Sequence, residues 1–268
     1  MSSVISGKTA IVTGAANGVG LAVARHFVAQ GANVVFADMD EKRLCKEVEE
    51  DAKSSKNVLK FAGDLRQKLT IANLLSATID TFERVDILVN ASRQVLTTDP
   101  LDADDSSVED LLEQNLLTSL RMSRAVAKRM IRQASAADDD GPVGSIVNIS
   151  SIAARRTHPE LLGYSVSCAA LDQMTRSMAV ALAEHRIRVN GVAFGSVMSA
   201  SLKGSLKGDD EMREAILENT PLQRIASPGE VSDAVQFLAS DASAFVTGQV
   251  ITVDGGRTLI DPAAVSAH

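Results

Sequence analysis

Tyr164 is the only tyrosine in this chain of 268 residues, and tryptophan is absent. Any chemistry that needs a phenol as acid or base must therefore use this one group. A second constellation lies near the N-terminus. Ile11-Val12 runs into Thr13-Gly14-Ala15-Ala16-Asn17-Gly18-Val19-Gly20, and a helical pattern follows. Glycine lets the backbone turn tightly and approach a pyrophosphate, and a helix N-terminus offers free N–H groups to the anion. Asp38 ends the apolar run 34–37. A carboxylate at that distance accepts hydrogen bonds from both ribose hydroxyls of an adenosine and repels a 2′-phosphate. No Arg or Lys stands at Asn17 or Met39 to attract such a phosphate, so the pattern points to NAD rather than NADP. The plainer reading is a tight turn followed by a solvated aspartate. Asp64, in Gly63-Asp64-Leu65, could bond the adenine amino group or cap a helix.

These groups need a scaffold, and the hydropathy pattern supplies one. Short apolar runs at 9–12, 33–37, 58–61, 87–89, 146–149, 188–193 and 250–253 alternate with helical patterns such as 20–30, 108–133, 164–184 and 229–239. Such alternation predicts an α/β chain with helices on both faces of a parallel sheet. The runs are nearly continuous rather than alternating, as expected for strands covered on both sides. No linker divides the chain, so one domain is expected over 1–268. We expect an exposed loop at 134–144, an irregular stretch at 195–210 and a tail at 258–268.

Composition removes several classes of function. The net charge is −7 and no block of Lys and Arg occurs, which argues against a nucleic-acid partner. No apolar stretch reaches membrane-spanning length. The N-terminus reads as a strand entering the glycine turn, not as a leader. Cys45 and Cys168 form neither a disulfide framework nor a zinc spacing, so a reducing cytoplasm is the expected location. His26, His158, His185 and His268 are scattered and suggest no metal.

An ordered string of motifs resembles the short-chain dehydrogenase/reductase family over about residues 6–257. It comprises the glycine turn, Asp86-Ile87-Leu88-Val89-Asn90, Asn115, Gly144-Ser145-Ile146-Val147-Asn148-Ile149-Ser150-Ser151, Tyr164 thirteen residues after Ser151, and Gly248-Gln249-Val250-Ile251-Thr252-Val253-Asp254-Gly255-Gly256. The resemblance implies a single doubly wound Rossmann-like domain with seven parallel strands. It implies hydride transfer between NAD(H) and a small-molecule ketone or secondary alcohol. Ser151 would hold the substrate oxygen, Tyr164 would give or take the proton, and Asn115 would organise a relaying water. The implied cofactor-binding set is Gly14, Asn17, Gly18, Val19, Gly20, Asp38, Asp64, Leu65, Asn90, Tyr164, Gly195 and Val197. Helices 108–133 and 164–184 are the family's pairing surfaces, which implies a homotetramer. Substrate choice would lie in 152–163 and 196–219.

Three departures from the family pattern fall around one pocket. The run Tyr164-Ser165-Val166-Ser167-Cys168 puts a thiol where the family carries a lysine on the same helix face. Asn90-Ala91-Ser92-Arg93 replaces Asn-Asn-Ala-Gly, and Phe194-Gly195 replaces Pro-Gly. A cation about 5 Å from a phenolate contributes roughly 3 kcal/mol at an effective dielectric of about 20, or about two pKa units. Without it, Tyr164 is expected near the ordinary phenol value and alcohol oxidation should suffer most. Arg93 could restore the charge, with Arg155 and Arg156 as weaker candidates; the plainer expectation is that Arg93 is solvated or paired with Asp64. If the charge is simply missing, Cys168→Lys should raise activity. The alternative function is a catalytically impaired NAD-binding member with a structural or regulatory role.

Overall fold

In a computed structural model, residues 4–137 and 141–261 are described. Seven strands form one parallel sheet in the order β3-β2-β1-β4-β5-β6-β7. They are β1 (Thr9–Thr13), β2 (Asn33–Asp38), β3 (Val58–Ala62), β4 (Ile87–Asn90), β5 (Gly144–Ser151), β6 (Ile187–Phe194) and β7 (Val250–Val253). The expected doubly wound α/β architecture is therefore present. Strand order reverses between β1 and β4, and in such sheets the crevice at the carboxyl ends beside the reversal is where ligands bind. Thr13, Asp38, Asn90, Ser151 and Phe194 all end their strands at that edge, and Ser151 pairs with Phe194 in the β5–β6 register.

Each face of the sheet buries its own core. On one side Val12, Val34 and Val147 pack with Val23 and Phe27 of α1 (Gly18–Ala29), Leu44 and Val48 of α2 (Glu41–Ser54), and Val231 and Val235 of α9 (Pro228–Ala239). On the other, Ile11, Leu88 and Ile146 meet Leu74 of α3 (Lys68–Phe82), Met122 and Met130 of α5 (Thr118–Ala137) and Ala179 of α6 (Leu162–Leu182). Removal of these side chains from water is the main force that fixes the strand edge.

Three expected outlines change. The single helix over 108–133 is three pieces: α4 (Ser107–Leu111), a π-helical segment Leu112–Leu117, and α5. Apolar periodicity runs through the break, so it left no sign in the pattern. Helix α5 also continues to Ala137 and takes in the start of the stretch expected to be a loop. Ala134, Ala136 and Ala137 are strong helix formers, which explains the extension. Residues 138–140 of that stretch, and 262–268 of the tail, lie outside the described residues. The stretch after β6 is not wholly irregular, for it holds α7 (Ala200–Ser205) and leads into α8 (Asp210–Glu218).

Candidate active site

The glycine turn is built by contacts that exclude side chains. A Cβ on Gly20 would lie 2.2 Å from the Gly14 carbonyl oxygen, and one on Gly14 would lie 2.7 Å from that of Ala91. Gly14 and Gly18 have φ of +66° and +55°, the left-handed region that glycine tolerates. Gly18 differs from the other two because a Cβ there meets nothing within 4 Å, so its backbone faces open space. Asn17 leads into α1 without a side-chain cap. Val19 is buried behind the turn. Asp38 ties the turn to β2: its Oδ2 accepts from Ala16 N at 2.9 Å and its Oδ1 from Asp40 N at 2.9 Å. An open glycine backbone, an uncapped helix start and a rim carboxylate fit a dinucleotide's phosphates and adenosine.

Asp64 lies beyond β3 and is gripped by Arg66, whose Nε donates to Oδ1 at 2.9 Å and whose Nη2 donates to Oδ2 at 2.9 Å. That hydrogen-bonded arginine holds its carboxyl below the ordinary value, against some burial. Asp64 does not cap α3, which starts after Gln67. Leu65 is buried beside it. This overturns the plainer expectation for Arg93, because Arg66 is the partner of Asp64 and the Arg93 side chain turns elsewhere.

Arg93 Nη1 donates to the Tyr164 hydroxyl at 2.5 Å. Its guanidinium carbon is 4.2 Å from the centroid of the Phe194 ring and 5.8 Å from that of Tyr164. Helix α6 carries Tyr164 and, one turn on, Cys168, and both are buried. Burial raises the Tyr164 pKa above the ordinary phenol value, and the nearby Arg93 charge pulls it back down in part. The nearby Ser151 hydroxyl also favours the ionised form of the phenol. Ser151 Oγ accepts from Ala153 N at 3.2 Å, which fixes it at the strand end. Burial pushes the Cys168 thiol up to about 11, so at neutral pH it is a neutral neighbour, not a nucleophile.

Asn115 sits at the centre of the π-helical segment. Its Oδ1 accepts from Gln94 N at 2.8 Å, and its Nδ2 donates to Gln94 O at 3.0 Å and to Ser167 Oγ at 3.1 Å. The side chain thus clamps the residue next to Arg93 and ties it to α6. Further bonds hold the same segment. Thr13 Oγ1 accepts from the N–H groups of Ala91 and Ser92, both at 3.0 Å, and Gln114 Nε2 donates to Ser92 Oγ at 3.0 Å. Asn90 is buried below, its Nδ2 donating to Ser123 Oγ and Asn148 Oδ1 while its Oδ1 has no partner. Gly195 N donates to Val253 O at 3.1 Å, and Val197 is buried and bridges to Ala226.

The strand-end edge therefore gathers Gly14, Gly18, Gly20, Asp38, Ser151 and Tyr164, with Asn115 behind. Sequence reasoning missed Thr13, Gln114, Gln94 and Ser167 as the frame of the 91–94 segment. A threonine that ends a strand just before a glycine turn was the available signal for Thr13. A cavity of about 580 Å³ lies at the ends of β6 and β7, lined by Arg155, Ser196, Thr220, Leu222 and Asp254 among others; neither Ser151 nor Tyr164 lines it. The described residues hold no cluster of His, Cys, Asp or Glu suited to a metal, and none of their helices is long and apolar enough to cross a membrane.

A family model described as enoyl-(acyl carrier protein) reductase matches residues 14–258. The 7α-hydroxysteroid dehydrogenase of Escherichia coli is 31% identical over 252 residues, 94% of each chain. The 3-oxoacyl-(acyl-carrier-protein) reductase of Thermotoga maritima is 32% identical over 258 residues, 95% of this chain and 99% of that protein. Among solved structures, a 7α-hydroxysteroid dehydrogenase complexed with NADH and 7-oxo glycochenodeoxycholic acid superposes with a TM-score of 0.85 at 30% identity, covering 95% of both chains. A short-chain type dehydrogenase/reductase from Mycobacterium ulcerans also has a TM-score of 0.85, at 28% identity over 95% of this chain and 90% of that one.

Proposed function

We propose that this chain, which belongs to the short-chain dehydrogenase/reductase family, is an NAD(H)-dependent oxidoreductase that interconverts a secondary alcohol and a ketone, with Tyr164 as acid/base. The observation that carries this reading is the convergence of the Ser151 and Tyr164 hydroxyls at the sheet edge that also holds the open glycine turn and Asp38. Gly14, Asn17, Gly18, Val19 and Gly20 would hold the diphosphate, and Asp38, Asp64 and Leu65 the adenosine. Asn90, Gly195, Val197 and the Tyr164 hydroxyl would line the nicotinamide half. When bound, that dinucleotide supplies or takes the hydride. Asp38 supports NAD over NADP, since a buttressed carboxylate at the end of β2 repels a 2′-phosphate.

Ser151 Oγ bonds the substrate oxygen and stabilises the charge that develops there. Tyr164 gives its proton to that oxygen in reduction and takes one in oxidation. Its raised pKa keeps the phenol protonated at neutral pH, which suits reduction. Asn115 acts by holding Gln94 and, through its main chain in the π-helical segment, would organise the relaying water. Segments 152–163 and 196–219 would set substrate choice, with the half-exposed Met212 and the buried Val197 in the second. The two free cysteines support a cytoplasmic location. Val166 and Val180, exposed on α6, support pairing of that helix in a homotetramer.

NADH oxidation by the purified protein with a broad panel of ketones tests the reading. Turnover that disappears in Tyr164→Phe, with NADH binding retained, is the expected result. NADH binding with no turnover on any ketone would instead support the second reading, an impaired NAD-binding member with a structural or regulatory role. The observation that favours this second reading is the Arg93 guanidinium stacked on Phe194 and bonded to Tyr164, inside the pocket the nicotinamide half would use.

A further inference from the structure

The geometry points to Arg93 as the residue that sets the proton affinity of Tyr164, with Phe194 as its seat: the guanidinium donates to the phenol oxygen at 2.5 Å while stacked 4.2 Å above the Phe194 ring. This deepens the proposed function and rests on Tyr164 being its acid/base.

Three features make the contact a built one. The first is the segment that bears Arg93, which is pinned on both sides. Thr13 accepts from Ala91 N and Ser92 N, Gln114 donates to Ser92, and Asn115 grips both backbone groups of Gln94. Arg93 therefore leaves the backbone from a fixed point. The second is the buried Phe194 ring, which faces the cation and attracts it electrostatically. The family pattern's proline and glycine at these two positions could not make this pair, so two of the three departures become one device.

The third is the composition of the surroundings. From the 91–94 segment, Arg93 faces the phenol; from the end of β5, Ser151; from α6, Cys168. Asp172, a further turn along α6, acts on Cys168 and is itself faced by Arg155 and Arg176. Apolar side chains packed around Tyr164 include Leu96, Leu111, Ala153, Ala154 and Leu161, and Ser167 Oγ donates to the Tyr164 carbonyl oxygen. Arg93 is thus the only cation among the described groups that acts on the phenol. When the proton leaves Tyr164 for a substrate oxygen, the negative charge left on the phenol oxygen faces Nη1. Because the phenol is buried, such a pair is screened less by salt than one between two exposed groups. The third departure follows as a consequence. A lysine at position 168 would put a second cation beside Arg93, whereas a neutral thiol does not.

The phenol can be read directly, because Tyr164 is the only tyrosine and tryptophan is absent. Near-ultraviolet phenolate absorbance of the whole protein, recorded just after rapid pH jumps and before any unfolding, titrates this one group without cofactor or substrate. Arg93→Met should raise the midpoint by about one pH unit or more, a roughly tenfold lower ionised fraction at a given pH. Arg93→Lys should give a smaller rise. Phe194→Leu, which removes the π face but keeps an apolar side chain, should move the midpoint in the same direction by less than Arg93→Met. An unchanged midpoint in both Arg93→Met and Phe194→Leu would overturn the proposal. So would a gain in NADH affinity and ketone reduction in Arg93→Met, because the guanidinium would then be an obstruction. NADH binding and turnover of the unmodified protein are measured separately. Their absence would count against the proposed reaction while leaving the titration to judge Arg93.

Discussion

Removing the hydroxyl of Tyr164 deletes the proton donor but little volume. Tyr164→Phe should lower ketone reduction by at least about a hundredfold and leave NADH binding within a few fold, as read by turnover and by NADH fluorescence. The unmodified enzyme's pH dependence follows from a phenol whose pKa burial raises. Reduction should stay level through neutral pH and fall as pH rises through that value, while oxidation should climb over the same range. Cys168→Lys is informative in a new way. The expectation from sequence was a gain in activity, on the view that a charge was missing. Since Arg93 already faces the phenol, the added ammonium is a second cation at the site, placed at the buried position of Cys168, and it should destabilise the fold by roughly 3 kcal/mol in urea unfolding. At this scale the sequence revealed Tyr164, Ser151, Asp38 and the glycines through type and spacing. It did not reveal the direction of the Arg93 side chain. That depends on Phe194, about a hundred residues away in sequence, and on the Asp64 carboxylate being already satisfied by Arg66.

The glycine turn separates two uses of one residue type. Gly20→Ala would drive a Cβ to 2.2 Å from the backbone of Gly14, and neither backbone can yield without opening the β1–α1 turn. It should cost about 3 kcal/mol or more of stability by denaturant titration. Gly18→Ala meets no protein atom and carries only the penalty of a positive φ, about 1 kcal/mol. Its methyl would occupy the open face over the helix start, so NADH affinity should fall at least about tenfold while the fold survives. Equal losses of stability in the two variants would contradict this division. The inner strands were legible because burial on both faces makes them nearly continuous apolar runs; the edge strands β3 and β7 are only partly buried. The π-helical segment was not, because its leucines keep a helical rhythm while a tertiary contact, Asn115 to the Gln94 backbone, sits at the widened turn. π-bulges often accompany functional sites for this kind of reason.

The whole molecule's stability against pH has two limbs. Arg224, through hydrogen bonds, holds Glu230 down at about 2, and Asp64, Glu113 and Asp254 are also depressed. Depressed carboxylates stabilise the fold above their unfolded pKa, and that stability is lost as pH falls from about 4 toward 2. Asp172, raised by burial, works in the opposite sense and at higher pH: its contribution is complete below the unfolded value of 3.8 and is lost as pH rises through its folded value. On the alkaline side, Cys168 rises from 9.0 to about 11 and Tyr164 is raised as well. Their contribution is complete below the unfolded values and lost as pH climbs toward the folded ones. Denaturant midpoints should therefore fall below about pH 4 and above about pH 9, with the alkaline fall reduced in Cys168→Ala. Light scattering at micromolar concentration should give four times the monomer mass. Substituting Val166 and Val180, exposed on α6, with glutamate should reduce that mass without loss of the monomer fold.

What the amino-acid order determined by itself was periodic or local: seven strands, the turn that follows the first of them, the acid that ends the second, and a lone phenol thirteen residues beyond a serine. Each follows from backbone geometry and burial acting over a few residues. Only the tertiary structure decided whether Arg93 lies on Asp64 or on Tyr164, whether the departures around the pocket stand apart or touch, and what Asn115 holds. Those outcomes turn on directions of long side chains converging from β4, β6 and α6, and an arginine settles where a ring, an oxygen and a fixed backbone coincide.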